Sequence, residues 1–115
     1  LHFPFAGGLD WTWRSEALVI ASLLAWTIAW DYLWFVLNPS FGPLAHGRDD
    51  VWWYPRRVGR VPLDYVTAIG ASLVLAVVAD GLAAHGRVLA ALGATIALAL
   101  ALHRPYARWY RRMRA

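Results

Sequence analysis

Three stretches of the chain, 17–37, 62–84 and 88–103, are almost free of formal charge, and polar residues collect between them and at the two ends. The first two runs reach the roughly 20 apolar residues that a bilayer crossing requires. The pattern predicts one all-α membrane domain over 1–115, a transmembrane helical bundle with spanning helices at about 17–37, 62–84 and 88–103. An interfacial loop at 38–61 and a basic tail at 104–115 complete it. The third run is short: the 16 residues between Arg87 and Arg104 make about 24 Å of helix against about 30 Å of hydrocarbon. Both arginines must then snorkel, or the bilayer must thin.

Within the runs, small residues recur at spacing four. Ala17, Ala21, Ala25 and Ala29 line one face of the first helix, and Ser22, Trp26, Trp30 and Trp34 make a rough face beside it. The second run carries Ala68, Ser72, Ala76, Asp80 and Ala84; the third carries Gly86, Ala90 and Ala94 on one line and Gly93, Ala97 and Ala101 on another. Smooth lines of this kind let membrane helices approach closely. With His85, Gly86 and Arg87 read as a tight turn, the second and third helices should form a close antiparallel hairpin. Trp11 and Trp13 suit the outer interface, Ser15 can cap the first helix, and Glu16 sits at the positive end of its dipole. Pro62 and Asp64 do the same for the second helix. Pro39 and the Gly42, Pro43 pair after Asn38 stop the first.

Residues 1–10, with Pro4, Gly7 and Gly8, read as a loop and lack the basic and apolar regions of a signal peptide. The chain opens on Leu1 rather than Met. An additional crossing upstream would give four helices with both termini inside.

Charge then orients the bundle. Arg48, Arg56, Arg57 and Arg60 lie between the first two runs and Arg104, Arg108, Arg111, Arg112 and Arg114 after the third, so nine arginines share one side against Arg14 and Arg87 on the other. The positive-inside rule makes the rich side cytoplasmic, with the N-terminus out and the C-terminus in. With 60% hydrophobic residues and eight tryptophans, composition agrees with a membrane class. The basic residues flank apolar spans, so anionic lipid headgroups account for them better than nucleic acid, and no nucleic-acid partner is expected. Absence of cysteine excludes disulfides and thiolate chemistry.

Candidate chemistry is confined to a few polar residues. Asp31 and Asp80 fall inside predicted spans, where an ionisable group costs roughly 2.5–3.5 kcal/mol at the centre and faces a partner. They lie toward opposite membrane faces, which rules out a carboxylate dyad. Arg60, Asp64, Tyr65, His103 and Arg104 share the level of Asp31; His85, Arg87 and Arg14 share that of Asp80. Each acid reads as half of an interhelical ion pair or hydrogen bond, or as a station on a proton path; the apolar middle of the bundle favours the first. Topology scatters His2, His46, His85 and His103, and no metal spacing appears. Ala99 and His103 resemble the AxxxH element that ligates bacteriochlorophyll in small light-harvesting helices, but Arg104 and Pro105 put His103 at a helix end. Trp52, Trp53, Tyr54, Arg56 and Arg57 form either a headgroup anchor or a partner-docking surface. Arg108, Trp109, Arg111 and Arg112 should lie along the inner leaflet.

Residues 30–65 resemble a pattern in small uncharacterised bacterial multi-pass inner-membrane proteins. Asp31 precedes Leu33, Trp34, Phe35, Leu37, Asn38, Pro39 and Gly42 in the spacing LWFxLNPxxG, and Trp52 and Trp53 lead to Pro62 and Tyr65. The resemblance brings no activity. It implies that helix end, loop and next helix start are one unit.

These features together predict a non-catalytic accessory subunit of a larger bacterial inner-membrane complex, photosynthetic (reaction-centre or light-harvesting) or respiratory. It would pack against other transmembrane subunits and anionic lipid. No cofactor of its own is expected, only contact with bacteriochlorophyll, carotenoid or lipid bound by partners. The alternative is a small oligomeric proton- or cation-coupled carrier using Asp31 and Asp80. A lipid or isoprenoid enzyme would rest on Asp49 and Asp50 alone.

Overall fold

The computed structural model describes residues 2–45 and 51–115; His46, Arg48, Asp49 and Asp50 lie outside the described residues. In chain order the elements are α1 (Phe3–Ala6), α2 (Trp13–Leu37), β1 (Arg57–Val58), β2 (Val61–Pro62), α3 (Leu63–Val78) and α4 (Leu82–Arg114). The chain is mostly helical, and α2 and α4 are long and apolar enough to cross a membrane. At 16 residues, α3 spans about 24 Å.

The central helix is α2. Its smooth line is buried as the spacing predicts, with Ala21, Ala25 and Ala29 at 0%, 2% and 4% exposure. Such small side chains let two other helices lie against it, α3 antiparallel and α4 parallel. Tyr65 at the start of α3 meets Asp31 late in α2, while Gly81, just after α3, abuts Leu18 early in α2. His103 of α4 meets Val36 at the end of α2. The predicted close hairpin of the last two helices is not formed: α3 and α4 each pack on α2 and touch one another far less. Correspondingly, Gly86, Ala90, Ala94, Gly93, Ala97 and Ala101 are all exposed on α4.

Four boundaries differ from expectation. Thr12, not Ser15, caps α2: its Oγ1 accepts the Ser15 N–H at 3.0 Å, and the helix starts at Trp13. Residues 3–6, read as loop, form a single helical turn tied to α2 through His2 Nε2, 2.9 Å from Glu16 Oε1. The turn between the last two helices lies at 79–81, so His85, Gly86 and Arg87 belong to α4. Finally, α4 continues through Pro105 to Arg114. Pro105 forfeits one helical hydrogen bond, but rings meet at a tilt across the following turns, with Tyr106 6.0 Å from Trp109 and 6.2 Å from Tyr110. Leu82–Arg114 is thus one helix, but Arg87 lies within it, so the charge-free stretch between Arg87 and Arg104 keeps its 16 residues, about 24 Å at 1.5 Å per residue.

The 79–81 turn is a Schellman cap. Asp80 donates its N–H to Val77 O and Gly81 to Ala76 O, at 3.0 and 2.9 Å, with Asp80 in the left-handed region at φ 54° where glycine is usual. Asp80→Gly should relieve that conformation and raise stability by about 0.5–1 kcal/mol, with Asp80→Ala going the other way. Thermal denaturation in detergent followed by circular dichroism checks both signs.

The loop is not structureless. Arg57 pairs with Pro62 and Val58 with Val61 in a two-stranded antiparallel hairpin, an addition to the all-α expectation. Gly59 at φ 63° followed by Arg60 supplies the positive φ that a two-residue hairpin turn requires. Phe35, Ala45 and Val51 form a small buried cluster with Phe41 and Tyr54 packed on it. The loop thus folds as a cap over the end of α2.

Candidate functional site

Helix termini leave carbonyls without intrahelical partners, and at the end of α2 they organise the site. Trp34 O accepts from Asn38 N–H at 2.9 Å and Phe35 O from Gly42 N–H at 3.0 Å. Val36 O accepts from His103 Nδ1–H at 2.8 Å. The loop and α4 are therefore both anchored to the same last turn. From there the chain returns past Val51, whose carbonyl accepts from Arg57 Nη2–H at 2.9 Å, and the hairpin delivers Leu63 N–H to Arg56 O, also at 2.9 Å. Pro62, with its fixed φ, starts α3 so that Tyr65 comes round to face α2 one turn later.

The result is a three-element cluster. The Tyr54 and Tyr65 hydroxyls both donate to Asp31 Oδ2, and their rings meet edge to face at 5.9 Å and 76°. Burial, and after it the hydrogen bond and charge of Asp31, holds the Tyr54 hydroxyl well above the usual tyrosine range, so it remains a donor. Next to this cluster, Tyr32 O–H donates to Pro43 O at 3.1 Å. An apolar cleft of about 400 Å³ opens beside Tyr32 and Tyr65, with Arg60 on its wall.

The sequence placed Tyr65 beside Asp31, and the structure brings the two together. Arg60, Asp64, His103 and Arg104 do not reach that carboxyl: Arg60, Asp64 and Arg104 are exposed, and His103 binds Val36. Asp31 is thus hydrogen-bonded to phenols and makes no ion pair among the described residues. Tyr54, read as part of an interfacial aromatic run, is the partner that sequence reasoning missed. The available signal was chemical: an acid within an apolar helix requires donors, and Tyr54 is one of the few hydroxyls that the returning loop offers.

Asp80 occupies a different setting from the one expected. It sits in the turn after α3, not within a span, and its side chain, 89% exposed, lies 3.9 Å from Arg14 Nη1, a pair of little energetic weight. His85, predicted near it, is instead buried, with Nε2 3.1 Å from Ser72 Oγ. Since Ser72 O–H donates to Ile69 O at 2.8 Å, the imidazole is the donor. Its Nδ1 has no partner among the described residues.

The aromatic and basic residues divide by exposure. Trp26, Trp30 and Trp34 project outward from α2, with the first two stacked at 5.6 Å. Trp52 is 77% exposed, whereas Trp53 lies parallel to Phe35 at 6.2 Å. Arg56, Arg108, Trp109, Arg111 and Arg112 are exposed, and Arg57 is half-buried. No protein-family model, curated protein or solved structure matches the chain.

Proposed function

We propose that this chain is a multi-pass protein of the bacterial inner membrane that serves as a non-catalytic subunit of a larger membrane complex. The observation that supports this reading best is α4: only 6% of its most apolar stretch is buried within the chain. Its glycine and alanine lines face outward, as do the α2 tryptophans. A contiguous apolar surface of that extent is an interaction surface, and small-residue lines are what neighbouring transmembrane helices use. In this reading α2, α3 and α4 all cross, with the arginine-rich loop and tail inside. The short α3 is accommodated by local thinning of the bilayer.

Asp31 supports a structural role over a carrier role. Both phenols that hold it come from separate segments, so the acid joins α2, the loop and α3, and Asp80 lies outside the helices altogether. Extraction of the tagged native protein in mild detergent should recover stoichiometric partner subunits. The absorption spectrum of the same fraction separates a pigment- or haem-bearing host from a colourless one. Recovery of a lone monomer, or an ion-dependent flux lost in Asp31→Asn with assembly intact, would overturn the subunit reading.

A further inference from the structure

We propose that the wedge between α3 and α4, at the end where Arg60 lies, binds one anionic phospholipid of the inner leaflet. The site follows from how the helices diverge. They are joined at the 79–81 turn, both rest on α2, and they separate away from that turn. In the gap at the far end lies the cleft of about 400 Å³, with Ile28 of α2 as floor, Tyr65 of α3 and Ile96 of α4 as walls, Leu44 of the loop over it, and Arg60 at its edge. Apart from Arg60, these surfaces are apolar or aromatic, which suits an acyl chain.

A second hollow of about 420 Å³ shares Pro43, Leu44 and Arg60 with the first and runs on to Gly42 and His103. The two adjoin at Arg60, which lines both. His103 is oriented by its Nδ1–H bond to Val36 O, which leaves Nε2 as the polar atom turned to this hollow. Gly42, at φ +96°, lines it beside the imidazole, its Cβ position 3.8 Å from Cε1 and 3.9 Å from Nε2. Arg60 makes no ion pair with a described residue, and the acid of the same region, Asp31, is held by two tyrosines. An apolar cleft and a hollow that holds His103 thus share a guanidinium that no described residue neutralises, a group that pairs with phosphate in a bidentate way. Charge complementarity selects the occupant. An apolar partner helix would cover Arg60 without neutralising it, at a desolvation cost; an anionic lipid supplies the phosphate and the chain together.

This inference rests on the membrane reading above, and the test separates the two. Carbonate washing first establishes whether the chain stays embedded; release would end the membrane reading and the lipid site with it. The embedded, full chain is then purified in non-ionic detergent and titrated with phosphatidylglycerol or phosphatidylcholine, with bound lipid counted by native mass spectrometry. One phosphatidylglycerol per chain is expected, bound at least about tenfold tighter than phosphatidylcholine. Arg60→Gln should weaken it about tenfold, the loss of one charge-assisted contact, and Arg60→Lys by less. Ile96→Trp, which fills the apolar cleft, should weaken both lipids, whereas Arg87→Gln, an exposed arginine near the other end of α4, should change neither; circular dichroism confirms that each variant is folded. Equal binding of the two lipids, equal losses in Arg60→Gln and Arg87→Gln, or displacement by inorganic phosphate alone at matching concentration would each overturn the site while leaving the subunit reading standing.

Discussion

Asp31→Ala should destabilise the folded chain by about 3–4 kcal/mol, because it withdraws the acceptor of two hydrogen bonds to a carboxyl group, each worth about 1.5–3 kcal/mol when the acceptor is charged. The cluster is half-buried, so the lower part of that range applies to each bond. The loss is spread over three segments, since Tyr54 holds the loop and Tyr65 holds α3 to α2 through the same oxygen. Asp31→Asn retains a carbonyl acceptor and should cost about 1 kcal/mol. Denaturation in detergent, followed by circular dichroism, gives the values, and a double-mutant cycle of Asp31→Ala with Tyr65→Phe should be non-additive, because the second change removes an interaction already lost. A variant within about 0.5 kcal/mol of the parent would show that the loop and α3 are held by packing alone. Burial and then Asp31 raise the Tyr54 hydroxyl above its ordinary value of 10.0. The share of stability that the Tyr54 hydroxyl contributes is therefore lost only in stronger alkali, as pH rises through its raised value.

Why Tyr65 was legible beside Asp31 and Tyr54 was not comes down to register. Tyr65 sits on a helix whose start was marked by Pro62 and Asp64, so its depth could be counted in turns. Tyr54 sits in a segment whose path depends on Phe35 and Val51 meeting, a contact without periodicity. The same distinction runs through the fold. Leu37 as the end of α2 was fixed by Asn38 and Pro39, and the buried line of Ala21, Ala25 and Ala29 by spacing four. The turn after α3 was obscured because Leu82, Ala83 and Ala84 are apolar and carried the run past it. The Asp80, Gly81 dipeptide was the local turn signal, and it was outweighed by Gly86. Likewise Pro105, which lacks an N–H, signals a stop, yet the helix runs on to Arg114.

The loop over α2 gives the second large effect. Phe35→Ala should cost about 3–5 kcal/mol, the range for removing a buried aromatic side chain. Phe35 is 1% exposed, and its ring stands edge to face with Phe41 at 5.6 Å, parallel to Trp53 at 6.2 Å and tilted to Tyr54 at 6.4 Å. Each such pair adds about 0.5–1.5 kcal/mol beyond area. Phe35→Leu, which keeps much of the volume, should cost far less, and Trp52→Ala, on an exposed ring, should cost almost nothing. Because the Phe35 cluster is what brings Tyr54 back to Asp31, the loop should open before the helices separate. Chymotrypsin cleavage in the loop should thus appear in Phe35→Ala under conditions where α2 and α4 remain helical by circular dichroism. Equal protease resistance in Phe35→Ala and Trp52→Ala would mean that the Asp31 cluster holds the loop without its apolar plug, and would move the greater share of the cap's stability onto the two tyrosines.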